Sequence, residues 1–283
     1  MGALIWLASY PKSGNTWARS FIHNLLKNPS SPIPINELDS FCLGESHLPF
    51  YERQMGRALK RGDEGELAKI RPLVHGQFTQ VSPDSVFVKT HNLLGSWHGV
   101  PIHNMGVTAA AIYIVRNPLD VVLSLASHFS LSIDDAIAHM ANEKAATDFT
   151  ESHIPELHGS WSVHVKSWTA NPHQQLCVLR YEDMLAKPYG MFKNLTKFLG
   201  LPASKKRIEK AVRFSSFKQL QGQEEKGGFK ENPDSAKALF FRSGKSGQWR
   251  EKLEGAQVEK ICAEHGEQMK RFGYLDEGGK PVL

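Results

Sequence analysis

An α/β fold, with a central parallel β-sheet flanked by helices, is predicted by three features of this chain. Short apolar runs alternate with stretches of helical periodicity, polar residues capable of chemistry stand directly after several of those runs, and no internal repeat is visible. At 283 residues and 41% hydrophobic content, the chain suits a single large domain over residues 1–283 with pocket-forming insertions.

The first predicted strand covers residues 4–9, an apolar run with Ile5 and Trp6 that stops at Pro11. From Thr16 onward, Ala18, Phe21, Ile22, Leu25 and Leu26 recur at helical spacing until Asn28-Pro29 ends the pattern. Residues 30–83 are polar and broken by Pro and Gly, and read as an insertion that shapes a pocket. A second strand, 85–88, leads into Lys89-Thr90-His91, and a third, 109–115, into Arg116-Asn117-Pro118. Pro118 suits a first helical position, and Val121, Val122, Leu125 and Phe129 supply the apolar face of the helix that follows. Residues 131–159 form a second insertion with a helix predicted over 132–146, and a fourth strand, 176–179, precedes Arg180-Tyr181-Glu182-Asp183. Residues 221–247, rich in Gly, Lys and Glu without periodicity, are expected to be a mobile loop over the site.

Composition narrows the function. Cys42, Cys177 and Cys262 are few and far apart, which argues against a disulfide framework or a zinc cluster and for a reducing, cytoplasmic setting. The apolar opening is short and lacks a basic stretch before it, so no secretory signal is expected, and no run approaches the ~20 apolar residues of a membrane span. A net charge of +5 suits an anionic ligand. Without a Lys/Arg block or aromatics interleaved with basic residues, nucleic acid is not an expected partner. Histidine spacings of the H-E-x-x-H type are absent, and no metal is expected.

Between the first strand and its helix lies Pro11-Lys12-Ser13-Gly14-Asn15-Thr16-Trp17. Backbone N–H groups and the positive helix end converge there, which makes it an anion site of P-loop-like character. Gly14 permits close approach, Lys12 adds charge, and Ser13, Asn15 and Thr16 supply donors. It is not a Walker A loop, because Lys12 precedes Gly14. Read without a ligand, the same loop could simply cap the helix.

The stretch Tyr10–Trp17 resembles the 5′-phosphosulfate loop of sulfotransferases that use 3′-phosphoadenosine 5′-phosphosulfate (PAPS), with Asn15 where animal cytosolic members often have Thr. Arg116-Asn117-Pro118-Leu119-Asp120 with Ser124 is similar to that family's 3′-phosphate motif; a pairing of Arg116 with Asp120 at a helix start can coexist with that role. Phe241-Arg242-Ser243-Gly244, running on to Trp249, is similar to its Arg-Lys-Gly-x-x-Gly-x-Trp segment, with Ser243 in place of Lys and Gln248 in place of Asp. Ser215-Ser216-Phe217-Lys218 resembles the adenine-contacting segment, Arg180-Tyr181-Glu182-Asp183 the Tyr-Glu-Asp strand end, and residues 159–168 the helix before it. The resemblance runs in order from residue 9 to residue 249, but the family's dimerisation motif is not matched after Trp249, which leaves the oligomeric state open.

What the resemblance implies is sulfuryl transfer from PAPS to a hydroxyl of a small acceptor, with PAP as product. Lys12 and Lys89 would neutralise the leaving phosphate, and His91, in the family's Lys-Thr-His context, would be the base. The donor site would comprise Lys12, Ser13, Gly14, Asn15, Thr16, Trp17, Arg116, Ser124, Tyr181, Ser215, Phe217, Arg242, Ser243 and Gly244, with Trp17 and Phe217 about the adenine. Phe41, Phe50, Tyr51, Phe78 and Phe149, with His128-Phe129 nearby, suggest a pocket for an aromatic or lipophilic acceptor. Two other classes compete: a kinase-like phosphotransferase, which needs a Walker lysine and magnesium carboxylates, and a non-catalytic nucleotide-binding module, which has no use for His91.

Overall fold

The computed structural model describes residues 2–232 and 238–282. Its strands are β1 (Leu4–Ser9), β2 (Cys42–Gly44), β3 (Val86–Thr90), the two-residue pair β4 (Ser96–Trp97) and β5 (Val100–Pro101), β6 (Thr108–Val115) and β7 (Leu176–Arg180). Five of them form one parallel sheet in the order β2-β3-β1-β6-β7.

The side-chain period of two sorts this sheet into two layers. Leu4, Trp6 and Ala8 of β1, with Val86 and Val88 of β3 and Tyr113 and Val115 of β6, face helices Leu48–Met55, Glu64–Phe78, Pro118–Phe129, Ile133–Ala141, Trp161–Thr169 and Gly255–Arg271. Ile5, Leu7, Phe87, Ile112 and Ile114 face helices Asn15–Lys27, Tyr181–Ala186, Pro188–Phe198 and Lys205–Phe214. All six residues of β1 are buried, which is why the run reads as continuously apolar. The polar edge of Trp6 is satisfied by donation from Nε1 to Thr108 Oγ1 at 2.8 Å.

The helices begin and stop where local chemistry dictates. Asn28, left-handed at φ 48°, closes the first helix by donating its N–H to Asn24 O just before Pro29. Pro118 opens its helix as predicted, and the Asn117 side chain accepts the Leu119 N–H. Since β1 continues to β3 on one side and the chain later crosses to β6 on the other, the crevice at the β1 carboxyl end is a topological switch point.

Three expectations need correction. Residues 30–83 contain the edge strand β2, which reads poorly from sequence because only three residues pair with β3. The helix predicted over 132–146 stops at Ala141, where extended Asn142 turns the chain so that Ala145 O can accept the N–H groups of His158 and Gly159. Within the loop predicted over 221–247, residues up to Gly227 instead complete helix Phe217–Gly227, docked through buried Leu220 and Glu224; residues 233–237 lie outside the described residues. Among the described residues no single helix is long and apolar enough to cross a membrane.

Candidate active site

The carboxyl ends of β1, β3, β6 and β7 deliver their side chains to one crevice. After β1, Lys12 is left-handed at φ 65° and Gly14 stands at φ 106°. A Cβ on Gly14 would meet the Tyr181 ring at 2.7 Å, so glycine both tolerates the conformation and lets the tyrosine close over the loop. Lys12 Nζ lies 3.4 Å from His128 Nδ1 and 3.3 Å from the centre of the Phe240 ring. Burial, with the charge of Arg116 beside it, pushes the Lys12 pKa down to about 7.

After β3, Lys89 Nζ pairs with Glu231 Oε2 at 3.4 Å. His91 Nδ1 donates to the Ser9 carbonyl at 2.8 Å, which places the proton on that nitrogen and leaves Nε2 to accept. Burial, and secondarily the charge of Lys89, pushes the His91 pKa down to about 4, so the ring is neutral at pH 7.

After β6, the Arg116 guanidinium donates to Lys12 O at 3.0 Å and Lys245 O at 3.2 Å, and stacks over Tyr181 at 4.3 Å. It thereby ties the loop after β1 to the C-terminal segment. Asp120 accepts the N–H groups of Gly247 at 2.6 Å and Trp249 at 3.3 Å, which anchors that segment on helix Pro118–Phe129. A Cβ on Gly244, at φ 61°, would meet the Phe217 ring at 2.3 Å, so glycine is again required for close approach.

These groups surround a cavity of about 220 Å³. Lys12, Gly14, Asn15, Thr16, Trp17, Lys89, His91, Arg116, Ser124, Tyr181, Phe217, Arg242, Ser243 and Gly244 all line it, although they come from six separate stretches of chain. Lined by cations, loop N–H groups and aromatic faces, it can hold a polyanion with a flat ring beside a neutral imidazole.

The sulfotransferase domain family matches residues 4–273. The chain belongs to the sulfotransferase family. It is 25% identical to a flavonol sulfotransferase-like protein of Flaveria bidentis over 96% of this chain and 83% of that one. It is 26% identical to dog sulfotransferase 1B1 over 91% and 80% of the two chains. Among solved structures, a retinol dehydratase in complex with androsterone and the inactive cofactor PAP superposes with a TM-score of 0.64, at 18% identity over 94% of this chain and 80% of that one. That last likeness concerns the fold.

Within this sulfotransferase site some expected contributions are redirected. The Asn15 amide donates back to Leu7 O at 2.9 Å, so its side chain braces the loop against β1 instead of offering a donor to the cavity. Ser13 is fully buried with its Oγ unpartnered and does not line the cavity. Ser215 spends its hydroxyl on Ala211 O at 2.9 Å, a helix-end contact that keeps it out of the lining. Most residues expected around an acceptor pack elsewhere: Tyr51 and Phe78 are core residues, Phe50, Phe149 and Phe41 pack against the core, Phe41 stacking on His23, while His128 and Phe129 line the cavity. Aromatic count in an insertion does not distinguish lining from core, because both faces of a wall need apolar filling.

Several residues in or behind the cavity wall escaped the sequence reading. Arg19, 1% exposed, grips Glu231 with both terminal nitrogens at 2.7 Å, and Glu231 also holds Lys89. Glu156, His158 and Phe240, also missed, complete the wall around Lys12 and His91 together with the expected His128. A buried arginine between apolar neighbours Ala18 and Phe21 was the available signal for Arg19, whereas Glu231 sits in a stretch whose composition carried none.

Proposed function

We propose that this sulfotransferase moves a sulfuryl group from PAPS to the hydroxyl of a small acceptor, acting in the cytoplasm. The observation that carries the reading is the His91 geometry: its ring is locked by Ser9 O, with Nε2 as the accepting nitrogen, in the wall that also holds Lys12 and Lys89.

The acceptor oxygen attacks sulfur, its O–S bond forms as the bond from sulfur to the 5′-phosphate oxygen breaks, and the hydroxyl proton passes to His91 Nε2. Charge grows on the departing phosphate oxygen, which Lys12 and Lys89 neutralise in a dry site. Arg116, Ser124, Arg242 and the Gly244 backbone serve the 3′-phosphate, Gly14 to Thr16 the 5′-phosphate through their N–H groups, and Trp17 and Phe217 the adenine. Trp17 Nε1, buried and unpartnered in the cavity wall, fits a site completed by a polar occupant. Metal has no part in this scheme, since lysines take the leaving charge.

Thermal melting tests the donor assignment. PAP should raise the melting temperature by several degrees more than AMP or ATP at equal concentration, because only PAP fills the 3′-phosphate site. Equal stabilisation by AMP overturns it, and transfer activity lost to EDTA and restored by magnesium would point to phosphoryl chemistry instead.

A further inference from the structure

We propose that the natural acceptor carries a cationic amine as well as its hydroxyl, with the ammonium held by Glu156 while the hydroxyl reaches His91; this rests on the sulfuryl-transfer reading above. A second cavity of about 880 Å³ adjoins the first and shares Lys89, Phe129, Thr147, Glu156 and Glu231 with it, so an acceptor seated there arrives at the reacting centre past these side chains. Beside an apolar wall that includes Phe129, Leu131 and Ala146, its charged lining comprises five carboxylates against the three fixed cations Arg19, Lys89 and Lys230.

Most of those carboxylates are already engaged. Glu45 is buried among Tyr51, His75, Asn92 and Arg71. Glu231 is gripped by Arg19 and Lys89, and Asp148 lies out at the surface with Arg61. Asp39 is exposed at the rim. Glu156 differs: its side chain is 16% exposed and lines both cavities. Oε1 accepts from Ser46 Oγ at 2.9 Å, but Oε2 stands 3.7 Å from His158 Nε2, beyond hydrogen-bond distance.

His158 gives an independent sign of a polar occupant. It is fully buried, it lines the cavity that holds His91, and neither of its ring nitrogens has a hydrogen-bond partner. A ligand with several N–H donors supplies what this corner lacks, and an ammonium is the donor that an ionised carboxylate binds best. Although burial alone would raise its pKa, contact with His158 and the charge of Lys89 hold Glu156 well below the usual carboxylate range, so it is ionised at pH 7. A neutral acceptor of the same shape would leave Oε2 stripped of water without a partner, which discriminates against it by roughly 10- to 100-fold. The ammonium keeps its proton and takes no part in bond making.

The test uses matched pairs, tyramine with para-propylphenol and aminohexanol with heptanol. Transfer at saturating PAPS gives kcat/KM for each, and calorimetry on the PAP-loaded protein gives affinity independently of turnover. The wild-type protein should favour the amine of a pair by roughly 10-fold or more, and Glu156→Gln should collapse that ratio toward one while keeping the PAP-induced melting shift that reports a folded donor site. Equal affinity for both members in the wild-type protein, or an unchanged ratio in Glu156→Gln, overturns the proposal. If para-propylphenol or heptanol is sulfated as well as its amine partner, only the charge assignment fails; if PAP does not bind and no probe is sulfated, the sulfuryl-transfer reading fails with it.

Discussion

Lys12 and His91 line one cavity, and their surroundings suit them to different work in the proposed transfer. Lys12 is buried beside Arg116 with its pKa near 7, so it is only partly charged until an anion arrives to restore the proton. His91 is neutral and oriented, and in the proposed reaction it meets only the acceptor's proton. His91→Ala should therefore lose on the order of 10²- to 10⁴-fold in single-turnover rate while binding PAP nearly as well as the parent protein. Lys12→Ala should lose PAP affinity and rate together, because its charge meets the phosphate in the ground state and more strongly as the leaving oxygen becomes anionic. Calorimetry with PAP and rapid-quench rates on both variants measure the split, and full turnover by His91→Ala would remove it as the base. Both residues were legible in the sequence because they stand directly after apolar runs, where a parallel sheet collects its functional groups. Arg19 and Glu231 were not, since their pairing joins residues 212 positions apart and no local pattern encodes it. Asn15 shows the complementary limit: its place in the motif was readable, but the direction of its side chain, back toward Leu7 O, depends on how β1 and the helix meet.

At the scale of elements, the segment after helix Phe217–Gly227 is held over the cavity by a small apolar cluster of Ile35, Leu38, Leu220, Phe229 and Phe241, and by one carboxylate. Glu224, 3% exposed, accepts the N–H of Phe240 at 2.7 Å and of Phe241 at 2.9 Å, while Gln221 Nε2 donates to Phe241 O at 2.8 Å. Those bonds position the residues that put Phe240 over Lys12 and bring Arg242 and Gly244 to the cavity. Glu224→Gln turns one acceptor into a donor facing a backbone N–H, and an unpaired buried N–H costs about 1–3 kcal/mol. PAP affinity should fall roughly 10-fold, with a smaller loss in melting temperature. Calorimetry reads this directly, and unchanged affinity would mean that the segment's docking does not shape the donor site. The sequence reading took residues 221–247 as loop because glycines and like charges hide the single docked stripe of Leu220 and Glu224. Strands β1, β3 and β6 were plain by contrast, since burial on both faces leaves no polar alternation to confuse, while β7 shows as an apolar run although only Leu179 in it is buried.

For the whole molecule, the two-layered core encloses many titratable rings, and this sets how stability responds to acid. Burial pushes His91 and His265 down to about 4 and His103 to about 3, with the charge of Lys89 adding to the first and that of His75 to the last. His103 is wedged edge-on against Trp6 at 4.7 Å and Trp168 at 4.9 Å, where a charged ring could not be hydrated. Each has a folded pKa below its unfolded value near 6.5, so the unfolded chain binds more protons in between. Their contribution is complete above about pH 6.5 and is lost as pH falls toward the folded values, at about 1.4 kcal/mol per pH unit for a fully buried ring. Glu45 works in the same direction but lower: despite its burial, Arg71 and His75 hold it at about 2, so its share persists until the medium falls below the ordinary carboxylate range near 4.5. The melting temperature should therefore be level between pH 8 and about 7, fall steeply from about 6.5 to 4 on the histidines, and fall further below that on Glu45. A pH series of thermal melts without ligand checks the profile. His103→Phe, which keeps a ring between the two tryptophans but cannot take a proton, should flatten the upper part of the acid limb, and a melting temperature constant from pH 7 to 5 in the parent would mean that the core does not hold these rings neutral.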